Sequence, residues 1–323
     1  MKTVLIIKGG GGTEHEVSLR SADYIETQID QEKFQVISVE ISKESTWLYQ
    51  SSPCELTFDH YLKTNNNNIK IDIVIPCLHG YPGETGEIPA FLDLIKLPYL
   101  GCNAETSIIC FNKLLTKLTL ELVGVPTTPF LQVQNKNDLE NAEVFLQKYG
   151  TVFIKATNQG SSVGCYQVNN LQDLKKYIEE AFNYSPFVIL EEGLSGRELE
   201  VSAFEYKGKW HVTIPGEIKC PAKFYSYEEK YSTDSQTETL IEAPDISVEV
   251  KKQIQKFSFR AIEGLKLRHL SRIDFFLTDD GRVYLNEPNT FPGHTQISMF
   301  PIMMENYGVK YSEFINSHLE ALS

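Results

Sequence analysis

Arg272, Asp274, Glu287 and Asn289 are the polar residues whose types and spacing offer the most chemistry. They sit in and just before the otherwise apolar stretch "IDFFLTDDGRVYLNEPNT", residues 273 to 290. Apolar and aromatic runs flank Asp279-Asp280-Gly281, and Asp-Gly between two such runs signals a hairpin with a two-residue turn. With Asp280 and Gly281 as that turn, Asp274 faces Glu287, Arg272 faces Asn289, and alternation puts all four on one face. Two carboxylates directly opposite destabilise a sheet unless something positive lies between them. Oxygen donors without His or Cys suit magnesium, which completes its shell with water and substrate phosphates. The pattern points to a nucleotide. The competing reading is a surface hairpin with solvated charges, and the register depends wholly on the assumed turn.

Other loops add polar groups. The tetraglycine Gly9 to Gly12 is no dinucleotide fingerprint, since Glu14 and His15 stand where GxGxxG needs glycine, and no Lys-Ser or Lys-Thr pair follows to make a P-loop. Its amides and a helix N-terminus remain available to an anion or carboxylate. Glu14 and Glu16 either belong to such a site or simply favour the first helical turn. In "GSSVG", Gly160 to Gly164, small residues let the backbone close over phosphates, and the preceding strand offers Lys155 as a point charge. Gly-Ser loops also join many ordinary hairpins, and Lys113, at a helix start, reads equally well as a solvated charge. Arg272 can clamp a phosphoryl group or a developing oxyanion. Pro292 to Ser298 supplies a turn, the Gly293 amide and a helix start, or else an ordinary loop and N-cap. His15, His79 and His294 lack metal-like spacing, so packing or solvation is their default role.

The elements that must position these groups alternate over the first hundred residues. "TVLIIK", "EVSLRSADYIETQI", "FQVISVEI", "IDIVIPCL", "EIPAFLDLI" and "LPYLGC" read as a small parallel α/β domain whose sites gather at the carboxyl ends of strands. From about residue 105 the pattern changes to one helix, "FNKLLTKLTLELVGV", a strand "TPFLQV", another helix, two strands around the Gly-Ser loop, and a helix "LQDLKKYIEEAF". Near Ser185-Pro186 a strand-rich region opens with "FVILEEGL", "RELEVSAFEY" and "KWHVTIPGEI". The long polar and aromatic stretch from Pro221 to about Gln236 reads as a lid or binding loop. A long helix then precedes the hairpin, and two short helices close the chain.

Composition narrows the choice. A chain of 323 residues holds two or three ordinary domains. Hydrophobic content of 41% with 23% charged residues reads as a soluble globular protein. A net charge of −13 repels nucleic acid and anionic membranes, although it leaves room for a local basic pocket. Cys54, Cys77, Cys102, Cys110, Cys165 and Cys220 show no CxxC spacing, which argues against zinc and suits thiols in a reducing cytosol. The apolar start runs straight into glycines, unlike a signal peptide, and no apolar run reaches membrane-spanning length. Asn65 to Asn68 read as a loop, and no internal repeat is visible.

Taken together, "GGTEHEVSLRSA", "HGYPGETGEI", "GSSVG", "GRELEVSAF", "FYSYEEKY", "RIDFFL" and "NEPNTFPGHTQIS" stand in the order found in D-alanine:D-alanine ligases of the ATP-grasp superfamily, which the chain resembles over essentially its whole length. The resemblance implies an α/β chain of ATP-grasp fold in three domains, 1–104, 105–186 and 187–323, with ATP held between two antiparallel sheets. It implies that ATP phosphorylates the carboxylate of a first D-alanine and that the amine of a second attacks the acyl phosphate. Phosphorylation is needed because a carboxylate is a poor electrophile, and surrounding cations neutralise charge on the transferring group.

Roles carry over by matching position. Asp274, Glu287 and Asn289 would hold two magnesium ions, with manganese able to substitute. Lys113 and Lys155 would contact phosphates under the flap that carries Ser162, while Glu191 and Glu198 would meet adenine and ribose. Glu14 would receive the first substrate's ammonium, His79 would contact substrate, and Ser298 would bind the second substrate's carboxylate. Arg272 and the Gly293 amide would form the oxyanion site. Tyr231 would close the lid through Ser161 and Glu14, with Lys230 leaning toward ATP. Tyrosine at 231 favours an amine over a hydroxyl as nucleophile. The resemblance further implies a cytoplasmic homodimer that supplies dipeptide for the cell wall, without nucleic-acid or membrane partners. An ATP-grasp ligase for another amino acid or hydroxy acid pair is the nearest alternative. A non-catalytic nucleotide-binding homologue is the other, and the intact Arg272, Asp274, Glu287, Asn289 and Tyr231 speak against it. Departures from the family pattern are Thr85, Asn112, Ala156, Pro288 and His294. His294 is expected close to the second-substrate pocket, where a titratable ring would alter substrate choice or pH dependence.

Overall fold

Lys2–Gly9 is buried almost throughout, as a strand covered on both faces must be. It lies between Phe34–Ile41 and Ile73–Pro76, parallel to both. Trp47–Tyr49 and Ser52–Pro53 extend this sheet antiparallel, and the expected strand "LPYLGC" contributes only a bridge from Tyr99 to Val74. Leu5, Ile7 and Val39 pack under the helix Glu87–Ile95. Val4, Ile6 and Ile75 pack on the other side with Ala22 and Ile25 of the helix His15–Gln28 and with Tyr311, Phe314 and Leu319 near the C-terminus. The two ends of the chain therefore share one core. A small antiparallel sheet, Glu55–Leu56, Tyr61–Lys63 and Asn68–Lys70, takes in the end of the asparagine tract. The computed structural model describes residues 1–135, 139–219 and 237–323. Among these, no helix is long and apolar enough to cross a membrane.

The second sheet is antiparallel, in the order Cys165–Val168, Val152–Ala156, Val188–Glu192, Phe130–Val133. Leu139–Tyr149 and Leu171–Ala181 cover it with Ala142, Leu146, Leu174 and Ile178. The latter helix starts where Asn170 accepts a hydrogen bond from the Asp173 amide at 2.9 Å, an N-cap. The third sheet pairs Gly196–Tyr206 with Leu270–Thr278, and that strand with Val283–Asn289; Gly216–Lys219 and Glu238–Leu240 extend it, and Lys209–Val212 folds back on Gly196–Tyr206. Helix Val248–Leu265 covers this sheet through Ile254, Phe257, Ala261 and Ile262.

Three expectations change. The helix read at "FNKLLTKLTLELVGV" spans Lys113–Leu122, starting where Asn112 is extended and its side-chain oxygen accepts from the Leu114 and Leu115 amides, both at 3.1 Å, and a separate helix, Ala104–Phe111, precedes it unforeseen. The strand in "FVILEEGL", assigned to the region after residue 186, pairs within the second sheet. Cys110 and Leu120, from the stretch placed in the middle domain, pack in the core of the third sheet. The partition at 104 and 186 is thus crossed by packing on one side and by strand pairing on the other.

The hairpin reaches its expected pairing by another route. Asp274 does face Glu287 and Arg272 does face Asn289. Thr278, however, closes on Arg282 around a three-residue loop in which Gly281 takes φ 85°, a left-handed conformation that suits glycine. That loop alone would shift every pair by one. Asn286 is an extra residue between the pairs Phe275–Leu285 and Asp274–Glu287, and this bulge restores the register.

Candidate active site

A cavity of about 660 Å³ opens where the three sheets meet. The first sheet's loops bring Glu14 and His79 to it; the loop Gly160–Gly164 brings Ser161; and Lys113 enters from the start of its helix. Arg272, Glu287 and Asn289 come from the hairpin, and Gly293 and Ser298 from the segment after it. Lys155, Ser162, Glu191, Glu198 and Asp274 do not line this cavity. Lys230, Tyr231, Cys220 and the expected lid between Pro221 and Gln236 lie outside the described residues.

The glycine loop serves as a tight corner. Gly10 has φ 98°, and a Cβ there would lie 2.7 Å from the Tyr81 carbonyl oxygen. His15 is buried and bonds the Gly10 carbonyl through Nδ1 at 2.8 Å, a packing role. The turn delivers Glu14 to the cavity, where its carboxylate lies against two backbones. A Cβ on Gly80 would sit 3.1 Å from Glu14 Oε2, and one on Gly160 3.7 Å from it. In the Gly-Ser loop Ser161 and Ser162 both hold positive φ, 48° and 60°, a sparsely populated conformation that marks a constrained loop. Lys113 is not a solvated charge: its ammonium donates to the Gln159 carbonyl at 2.7 Å and lies 3.6 Å from Glu287.

On the hairpin, Arg272 supplies the positive charge that the facing carboxylates require. Its Nε and one terminal nitrogen donate to the two oxygens of Asp274, each at 2.8 Å, and Nε lies 3.3 Å from Glu200. Burial opposes the charge, but Asp274 and Glu200 raise the guanidinium pKa well above its ordinary value. Asn289 donates to Asp274 at 3.0 Å. Asp274, Glu287 and Asn289 form an all-oxygen set of the kind hard divalent ions prefer. Among the described residues no three His, Cys, Asp or Glu side chains cluster for a metal. An ion held here would rely on the Asn289 amide as a third donor and would compete with Arg272 for Asp274. Downstream, Gly293 lies close against Ser298, since a Cβ there would meet Ser298 Oγ at 2.9 Å. Ser298 Oγ accepts from the Thr295 amide at 3.0 Å.

On the second sheet, Glu191 is buried between two lysines, Lys155 at 2.7 Å and Lys117 at 3.0 Å. Burial opposes ionisation of Glu191, yet the two ammonium groups hold its carboxyl at about 2. Burial lowers the Lys117 pKa, whereas on Lys155 the Glu191 charge overrides burial and raises it.

Sequence reasoning missed three residues here. Lys117 lies four positions after Lys113, a spacing that reads as an ordinary helical face. Glu84 lines the cavity and accepts from the Gly80 amide at 3.0 Å and the Phe291 amide at 3.1 Å. Burial, with the nearby Glu14 charge, raises its carboxyl to about 7. Glu200 was recoverable from the alternation of "GRELEVSAF", which puts it on the same strand face as Glu198.

The expectation for His294 is overturned. Its ring is fully buried, bonded through Nδ1 to the Tyr311 hydroxyl at 2.7 Å and stacked on that ring. It does not line the cavity. Burial, with His79 nearby, pushes its pKa well below the ordinary imidazole value, so it carries no proton switch near neutral pH. His79 itself is buried, with Nδ1 bonded to the Phe291 carbonyl at 2.9 Å and Nε2 to Ser21 at 3.0 Å.

Two family models match the chain: D-ala D-ala ligase N-terminus over residues 3–102, and D-ala D-ala ligase C-terminus over residues 119–320. The D-alanine--D-alanine ligase of Shewanella pealeana is 47% identical over 328 residues, covering 99% of this chain and 98% of that protein. The enzyme of that name from Aeromonas hydrophila is 48% identical over 320 residues, covering 98% and 97%. D-alanyl-alanine synthetase A from Vibrio cholerae, a solved structure, matches with a TM-score of 0.95 at 44% identity, over 99% of this chain and 98% of its own. The VanG D-Ala:D-Ser ligase from Enterococcus faecalis matches with a TM-score of 0.89 at 28% identity, over 100% and 99%. The fold and these likenesses define an ATP-grasp ligase. Within that class, the chain belongs to the D-alanine–D-alanine ligase family.

Proposed function

We propose that this enzyme joins two D-alanines at the expense of ATP, through an acyl phosphate, and so supplies D-alanyl-D-alanine for peptidoglycan. The observation that carries the reading is the single cavity that sets Glu14 among Lys113, Arg272 and the Gly293 amide. One carboxylate suits the ammonium of an amino acid, while the cations and the amide suit phosphoryl and oxyanion charge.

In this reading Glu14 holds the ammonium of the first D-alanine, with the ring of His79, both nitrogens already bonded, only lining the pocket beside it, so that a carboxylate oxygen attacks the γ-phosphorus of ATP, and ADP leaves. Lys113 and Lys155 neutralise phosphate charge under the loop of Ser161 and Ser162, with Glu191 and Glu198 on adenine and ribose. Asp274, Glu287 and Asn289 would hold divalent ions, which when bound supply further charge neutralisation to the phosphates. Ser298 holds the second D-alanine by its carboxylate. Its free amine attacks the acyl carbon, and the resulting oxyanion is met by Arg272 and the Gly293 N–H. Collapse expels inorganic phosphate and leaves the peptide bond. Tyr231 and Lys230 complete the reading as lid residues. Five described cysteines, Cys54, Cys77, Cys102, Cys110 and Cys165, are free thiols, in keeping with a cytoplasmic setting.

The fold also serves a D-Ala:D-Ser ligase, so the fold alone does not choose the second substrate. Identity of 44–48% to enzymes named for D-alanine favours D-alanine. The test is product analysis with ATP, magnesium and a panel of D-alanine, D-serine, D-lactate and L-alanine. D-alanyl-D-alanine formed one-to-one with ADP is expected. Nucleotide binding without turnover, or a preference for another pair, would overturn the reading.

A further inference from the structure

Three carboxylates stand in one row across three adjacent strands: Glu200 opposite Asp274, and Asp274 opposite Glu287. Like charges directly opposite are destabilising unless cations intervene. Two cations serve the row. Lys113 lies 3.6 Å from Glu287, and Arg272 sits between the other two, with Nε 2.8 Å from Asp274 and 3.3 Å from Glu200. Glu200 is only 8% exposed and borders the same cavity.

We propose that Glu200 is a positioning residue for Arg272, keeping the guanidinium aimed into the cavity when a divalent cation draws on Asp274. This rests on the function proposed above. Both oxygens of Asp274 now accept from Arg272. A cation drawing on those oxygens competes with the guanidinium for Asp274, and Glu200 is a second carboxylate within ion-pair distance of Nε. An oxyanion donor is effective only if it is held in place before charge develops. Without Glu200, the guanidinium would lose that second partner when Asp274 is shared with a metal.

The test uses Glu200→Gln, which keeps the shape and removes the charge, and Glu200→Asp, which keeps the charge. With full-length protein, Glu200→Gln is expected to lower kcat about 10- to 100-fold, the range typical of residues that orient a ligand or catalytic group. KM for ATP should change little, and Glu200→Asp should recover part of the rate. The second readout is the Arg272 Nε–H resonance in arginine-labelled protein, assigned by its loss in Arg272→Lys and followed with magnesium and ADP. It should stay sharp in the native enzyme and broaden in Glu200→Gln. The proposal is overturned by an unchanged kcat in Glu200→Gln, by a resonance that behaves identically in both proteins, or by a loss of magnesium–ADP affinity in place of the kcat effect, which would make Glu200 a metal ligand. If Glu200→Gln fails to fold, Glu200→Asp is compared with native protein by the same two readouts. Should the native chain make no dipeptide, the function reading fails, while the resonance still reports on the Glu200–Arg272 contact.

Discussion

The backbone amide of Phe291 donates to the Glu84 carboxyl at 3.1 Å, joining residues 207 positions apart. His79, from the same loop as Glu84, bonds the Phe291 carbonyl at 2.9 Å. One peptide segment just beyond Asn289 is thus gripped on both sides by the loop that also faces Glu14. The clamp joins the Glu14 end of the cavity to the hairpin end.

The clamp has a pH signature. Burial, reinforced by Glu14, raises the Glu84 carboxyl to about 7, so between its unfolded value near 4.5 and about 7 the folded state holds a proton that the unfolded state releases. Stability from this group therefore falls as pH rises through that window. Glu84→Gln does not titrate, so its stability relative to native protein should improve from pH 5 to pH 8, by on the order of 2 kcal/mol. Urea unfolding at both pH values checks this; a constant difference would count against it.

The buried His294–Tyr311 pair predicts a structural effect without a kinetic one. His294→Phe leaves the Tyr311 hydroxyl buried without its 2.7 Å partner, which should cost about 1–3 kcal/mol. Adding Tyr311→Phe should recover part of that loss, measured as coupling in a double-mutant cycle. Because the ring is neutral near neutral pH, the pH profile of turnover should match the native one. A shifted profile would restore His294 to the site.

Lys117 tests the second sheet. Its removal as Lys117→Met leaves Glu191 buried with Lys155 as its partner. Unfolding should show a loss on the order of 3 kcal/mol, since breaking a buried ion pair strands a charge. If Glu191 meets adenine, KM for ATP should rise more than KM for D-alanine. A variant as stable as native protein would show that Lys117 is not needed to balance Glu191.

Much of this was legible because the informative residues were local. The hairpin pairing of Asp274 with Glu287 is as expected, although it was derived from a two-residue turn that the structure does not have. The bulge at Asn286 cancelled that error, and a bulge is fixed by neighbouring strands rather than by its own sequence. Asn112 is the opposite case, since its capping chemistry was present in the sequence, yet the helix was begun at Phe111 and the preceding helix Ala104–Phe111 was not read. Membership of Val188–Glu192 in the second sheet depends on partners 32 to 61 positions away, which order along the chain does not reveal. Lys117 and Glu84 were hidden for a related reason. A charged residue reads as solvated until the fold shows what encloses it.

The most direct measurement follows oxygen. D-alanine labelled with 18O at both carboxylate oxygens, turned over with unlabelled ATP in unlabelled water, should release phosphate carrying one 18O per dipeptide formed. That oxygen is the one that attacked phosphorus. Dipeptide formed with unlabelled phosphate would contradict carboxylate phosphorylation, and with it the role given to this cavity.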